Sequence, residues 1–127
     1  MVSKGNLGDE NAQYTFGVLQ YGATPALTFL RSYDGLSAYW NRYAWDANVD
    51  QWYHIAVTFS TPTEEVKYFI DGVNVFTATD SRESFLNTGD GDFFVGKANV
   101  LGTDYFFDGK VDEVRVWNVT RNPSQIA

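Results

Sequence analysis

The sequence predicts an all-β, antiparallel domain, either a sandwich or a barrel. Three observations carry this. Apolar residues alternate with polar ones in short runs. Gly, Asp, Asn and Pro punctuate those runs at short intervals. Helical periodicity is hard to find anywhere except at the C-terminal end.

The runs follow in order. Tyr14-Thr-Phe-Gly-Val-Leu is the first, closed by the turn-like Gly22-Ala-Thr-Pro25. Ala26-Leu-Thr-Phe-Leu-Arg-Ser-Tyr33 is the second, closed by Asp34-Gly35. Leu36-Ser-Ala-Tyr-Trp40 is the third. In Trp52 to Ser60, the side chains of Tyr53, Ile55, Val57 and Phe59 share one face, and those of His54, Ala56 and Thr58 the other. The clearest local signal is Val66-Lys-Tyr-Phe-Ile70, then Asp71-Gly72, then Val73-Asn-Val-Phe-Thr77. Asp-Gly accepts the positive φ angles of a two-residue hairpin turn, so the spacing predicts a β-hairpin. Phe93-Phe-Val-Gly, Tyr105-Phe-Phe-Asp-Gly and Val111 to Val119 complete the set of strands. One helix start is expected, with Asn122 as cap and Pro123 at the first helical position.

Length and composition narrow the function. The chain has 127 residues, enough for one domain and not for two, so 1–127 is read as a single domain. Cysteine is absent, which removes disulfides, thiolate metal sites and cysteine nucleophiles. His54 is the one histidine, which excludes multi-histidine zinc sites. The net charge is −7, which speaks against nucleic acid and anionic lipid as partners. No apolar stretch is long enough to insert in a membrane, and Met1 to Glu10 holds no signal-peptide core. Eleven of the sixteen acidic residues are Asp, the carboxylate of turns and calcium loops.

Several segments together carry a resemblance. They are Gln51-Trp-Tyr-His-Ile-Ala-Val-Thr-Phe, Val66-Lys-Tyr-Phe-Ile-Asp-Gly-Val, Phe94-Val-Gly, Phe107-Asp-Gly-Lys-Val-Asp-Glu-Val-Arg-Val-Trp-Asn and Thr120-Arg-Asn-Pro-Ser. Each alone is common, but their order resembles the laminin-G-like, concanavalin-A-like jelly-roll domains of bacterial extracellular proteins. Val2-Ser-Lys-Gly also matches a strand of that pattern. The resemblance implies a jelly-roll β-sandwich. It also implies further strands before the Ser-Lys-Gly segment, so the domain is expected to be incomplete at its N-terminus. Either the chain belongs to a longer polypeptide, or another copy or a strand-donating neighbour fills the gap by edge addition.

The resemblance further implies a structural calcium ion held in part by Asp112. Calcium needs six to eight oxygens, so Asp112 cannot act alone. The alternative is an Asp that accepts hydrogen bonds from a neighbouring loop. Asp90 and Asp92 present two further carboxylates on a Gly-containing turn and complete the metal candidates. Asp46-Ala-Asn-Val-Asp50 opens like a calcium loop but has Gln51 at the sixth position and Val57 at the twelfth, so an EF-hand is rejected.

The ligand candidates are aromatic. Tyr39, Trp40, Tyr43 and Trp45 crowd one stretch, with Asn41 and Arg42 between them. Sugars stack their apolar faces on such rings while Asn and Arg meet their hydroxyls. Tyr39 and Trp40 are adjacent, so a strand points them to opposite faces and at most one belongs to the core. Trp52 and Trp117 fall in strand patterns and read as structural, as does His54. Asn118-Val-Thr120 is an N-glycosylation sequon, relevant only in a eukaryotic secretory setting. Catalysis is not expected. Glu64 and Glu65 diverge at a turn, Asp112 and Glu113 face opposite ways on a strand, and no Glu-x-Asp-x-x-Glu run, nucleophile elbow or phosphate loop exists.

The expected function is therefore a non-catalytic recognition module that binds carbohydrate or a protein surface. Its expected place is extracellular or on a cell or virion surface, bacterial or phage. The second expectation is an assembly subunit of a surface layer, filament or phage appendage, its open sheet edge completed by another chain. A third is an accessory domain of a larger glycoside hydrolase.

Overall fold

The computed structural model describes residues 1–8, 10–81 and 87–126. In chain order its elements are β1 (Val2–Lys4), β2 (Tyr14–Tyr21), β3 (Thr24–Arg31), β4 (Tyr39–Ala44), β5 (Ile55–Ser60), β6 (Glu65–Ile70), β7 (Val73–Thr79), β8 (Phe93–Val95), β9 (Lys97–Val100), β10 (Thr103–Phe106) and α1 (Pro123–Ile126). Among the described residues, every pairing between these strands is antiparallel. The chain divides into two compact units, Met1–Trp45 with Phe85–Val114, and Asp46–Ser84 with Arg115–Ala127.

The first unit is built on a five-stranded sheet of order β4-β3-β2-β1-β8, with β9 and β10 as a separate hairpin. Its register sets three rows on one face: Tyr14, Arg31 and Tyr39; Phe16, Phe29 and Asn41; Val18, Leu27 and Tyr43. Thr15, Leu30 and Trp40 make a row on the opposite face. The β3 positions are buried on both faces, Leu27 and Phe29 on one and Thr28 and Leu30 on the other. That is the environment in which a near-continuous apolar run such as Ala26 to Leu30 is stable as a strand. Gly17 is needed at its place in β2, because a Cβ there would lie 2.8 Å from the Met1 Cα.

The second unit holds a three-stranded sheet of order β5-β6-β7 and the helix. The expected hairpin is present. Asp71 (φ 49°) and Gly72 (φ 78°) are both left-handed, as a type I′ turn requires. The Asp71 carboxylate accepts the His54 backbone N–H at 2.9 Å, and the Asp71 N–H donates to the His54 carbonyl at 2.8 Å. A bulge at Tyr68/Phe69 leaves Val75 unpaired and sets Tyr68 opposite Phe76, with their rings stacked at 5.2 Å. Val66, Tyr68 and Phe69 are fully buried. Asn122 and Gln125 form a reciprocal cap. The Gln125 N–H donates to Asn122 Oδ1 and the Asn122 N–H to Gln125 Oε1, each at 3.1 Å.

Four elements differ from the sequence expectation. The strand read from Trp52 begins at Ile55, and Trp52, expected to be structural, is exposed. The third strand begins at Tyr39, not Leu36, because the Asp34 carboxylate accepts the backbone N–H groups of Leu36 (2.9 Å) and Ser37 (2.6 Å) and holds them in a turn. The β9–β10 hairpin, whose first strand was not expected, turns at Leu101 (φ 50°) and Gly102 (φ 79°). The strand expected over Val111 to Val119 does not form. This segment pairs with no strand among the described residues, and Glu113 at φ 51° breaks its extended course. Trp117 is accordingly exposed, and the Arg121 guanidinium lies over its ring, 3.8 Å from the centre.

Candidate functional site

The structure divides the six aromatic-stretch candidates. All but Trp45 lie on β4, an edge strand of the five-stranded sheet. Trp40 packs against Leu7, Ala12 and Leu30, which form a buried cluster, and the Arg42 guanidinium lies 4.8 Å from its ring centre on the same face. Tyr39, Asn41 and Tyr43 belong to the other face. There Tyr33 stacks on Tyr39 at 5.7 Å, and the buried Arg31 guanidinium sits 5.5 Å from the Tyr39 ring centre. Asn41 is buried. Trp45 follows the strand, and its backbone N–H donates to the Pro25 carbonyl at 3.2 Å. These residues do not form one shelf for a ligand. Trp40 serves the core, and Tyr33 with Tyr39 makes a small partly exposed aromatic pair.

A second place in the same unit gathers rings more effectively. An open groove of about 550 Å³ is lined by Gln20 and Pro25 from the β2–β3 hairpin and by Tyr105, Phe106, Phe107 and Asp108 from the end of β10. The hairpin turn is short, with Gly22 at φ 70°. The aromatic run is fixed from its own backbone: the Phe107 N–H donates to the Gly96 carbonyl (2.9 Å), and the Gly96 N–H to the Met1 carbonyl (2.8 Å). Phe106 is 73% exposed and Tyr105 46% exposed. Lys97 lies 5.9 Å from the Phe106 ring centre and is paired with Asp104 at 3.1 Å. The Asn99 amide donates to the same carboxyl, and these two contacts, Asn99 first, hold Asp104 below the usual aspartate range. Three rings in succession carried a signal, because alternation cannot turn all of them to one face. Their partners Gln20 and Pro25 are too distant in sequence to be read with them.

The groove is open to solvent and combines apolar rings with an amide and a carboxylate. The rings offer a stacking surface for a C–H face, Asp108 accepts hydroxyl protons, and Gln20 both donates and accepts.

The three acidic candidates are all exposed. Asp90 and Asp92 are exposed on either side of Gly91, whose carbonyl accepts the Lys4 ammonium. Asp112 is exposed, and its Oδ1 accepts the Glu113 backbone N–H at 2.8 Å. Among the described residues no three His, Asp or Glu side chains converge as metal ligands. His54 is held through its main chain to Asp71, with the residue itself exposed.

A family model described as the concanavalin A-like lectin/glucanases superfamily, laminin G type, matches residues 2–127. No match was found among curated proteins or among solved structures. The chain belongs to this superfamily, and its fold class is the all-β antiparallel jelly-roll sandwich expected from the sequence.

Proposed function

For a member of the concanavalin A-like lectin/glucanases superfamily with this groove, we propose a non-catalytic recognition module that binds carbohydrate. Its place is outside the cell or on a virion. The observation that carries the reading is the juxtaposition of Tyr105, Phe106 and Phe107 with Gln20 and Asp108 around one cleft. A pyranose has an apolar C–H face and a rim of hydroxyls. Exposed Phe106 suits the first, and Asp108 and Gln20 suit the second. The test is a glycan array with the intact chain, followed by titration of Phe106→Ala. The expected result is selective glycan binding that weakens about tenfold or more, the loss of roughly 1.4 kcal/mol of stacking. No glycan binding by the unaltered chain overturns the reading.

One further observation favours a second reading, that of an assembly subunit. Val111 to Val119 carries strand-type alternation and exposes Val111, Val114, Val116, Trp117 and Val119 without pairing to a described strand. Such a segment is suited to completion by another chain.

A further inference from the structure

We propose that Asp108-Gly109 is a site of spontaneous covalent modification, where the aspartate converts to isoaspartate through a cyclic imide. The Gly109 backbone nitrogen attacks the side-chain carboxyl carbon of Asp108. A C–N bond forms, the amide proton and a carboxyl oxygen leave as one water, and a five-membered succinimide results. Water then adds back and opens the ring. Opening at the former side-chain carbonyl restores aspartate. Opening at the former backbone carbonyl leaves Gly109 linked through the side-chain carbon, which is isoaspartate. Water is the one co-reactant, lost and then regained. Glycine as the second residue allows the attack, because no Cβ shields its nitrogen.

The sequence holds four Asp-Gly pairs, at Asp34, Asp71, Asp90 and Asp108, and the structure separates them. Attack requires the carboxyl carbon and the nitrogen to align, so groups held elsewhere are kept from reacting. The Asp34 carboxylate accepts the N–H groups of Leu36 and Ser37, and the Gly35 N–H donates to Ser32 Oγ at 2.8 Å. Those donors, Ser37 first, hold the Asp34 carboxyl below the usual aspartate range, in the ionised form that is the poorer electrophile. The Asp71 carboxylate is held by the His54 N–H. Gly91, after Asp90, is buried: a Cβ on it would lie 2.5 Å from the Gly5 Cα, and its carbonyl accepts the Lys4 ammonium. Asp108 and Gly109 differ from all three. Both are exposed and lie beyond the end of β10. Among the described residues, neither the Asp108 carboxylate nor the Gly109 N–H makes a hydrogen bond, so turning one toward the other breaks none. Packing also requires the glycine, because a Cβ at 109 would lie 2.8 Å from the Phe107 ring. The conversion lengthens the main chain by one methylene and shortens the side chain by one carbon. Asp108 is the one carboxylate among the residues lining the groove, so the modification alters that wall.

Peptide mapping of the intact chain, stored for weeks at neutral pH and body temperature, tests it. Tryptic cleavage puts Asp108 in the peptide of residues 98–110, apart from the other three pairs. Electron-transfer fragmentation locates isoaspartate within that peptide and distinguishes Asp108 from Asp104. In the folded chain, isoaspartate should accumulate at Asp108 about tenfold or more faster than at Asp34, Asp71 or Asp90. The same storage in concentrated urea removes the structural restraint, and the four rates should then agree within about threefold. Asp108→Glu should leave the peptide of residues 98–110 unmodified, because closure from glutamate needs a slower six-membered ring. Isoaspartate appearing first at Asp34, Asp71 or Asp90 overturns the proposal. So does its absence at Asp108 in the folded chain, an unchanged ranking in urea, or isoaspartate persisting in that peptide of Asp108→Glu.

Discussion

Truncation of Leu27 to alanine tests the central strand of the larger sheet. Leu27 is fully buried in β3, opposite Val18 on β2 and Tyr43 on β4. Removing a buried leucine side chain beyond Cβ loses its transfer free energy and leaves a cavity, together about 3 kcal/mol where the surroundings relax only partly. Leu36, in the Asp34 turn, is 47% exposed, and the same truncation there should cost under about 1 kcal/mol. The chemistry deleted is identical, so the difference reports enclosure alone. Urea unfolding followed by tryptophan fluorescence supplies the comparison. With a slope of about 1.5 kcal/mol per M, Leu27→Ala should lower the midpoint by about 2 M and Leu36→Ala by under 0.7 M. A difference of less than about 1 kcal/mol, with unchanged slopes, would show that Leu27 is not enclosed and would refute the register that places it there.

Two further outcomes are expected. Gly72→Ala forces a Cβ into φ 78° at the β6–β7 turn and should cost about 1–2 kcal/mol, read as a fall in Tm of several degrees; an unchanged Tm would argue against the type I′ turn. Asp104 has a depressed pKa, so the stability it contributes is present above the unfolded-state value and is lost as pH falls through the lower folded value. NMR titration should place its midpoint below that of an ordinary aspartate, and Asn99→Ala should move it back up. A normal midpoint in the unaltered chain would contradict the Asn99 and Lys97 contacts.

Local chemistry made much of the fold legible. Asp71-Gly72 announced its turn because those two residues tolerate positive φ, and Asn122-Pro123 announced the helix by capping chemistry. The β9–β10 turn stayed hidden because Leu101 carries no such signature, yet occupies the left-handed region. The start of β4 depended on the Asp34 carboxylate folding back onto two backbone N–H groups, a contact that alternation does not encode. Val111 to Val119 has every mark of a strand in its pattern, but a strand also needs a neighbouring backbone, and pattern alone does not supply one. Among the ligand candidates, alternation stated that Tyr39 and Trp40 part company; packing on Leu7, Ala12 and Leu30 decided that Trp40 goes inward. The groove was not legible because its two walls come from distant stretches of chain, brought together only by the fold.

The recognition reading meets its most direct test in NMR chemical-shift mapping of the intact chain with the best glycan from the array. The reading predicts that perturbed amides cluster at Gln20 and at Tyr105 to Asp108, and that Phe106→Ala moves the same perturbations to about tenfold higher glycan concentration. Perturbations confined to Tyr33 and Tyr39, or scattered with no focus on the groove, would contradict it.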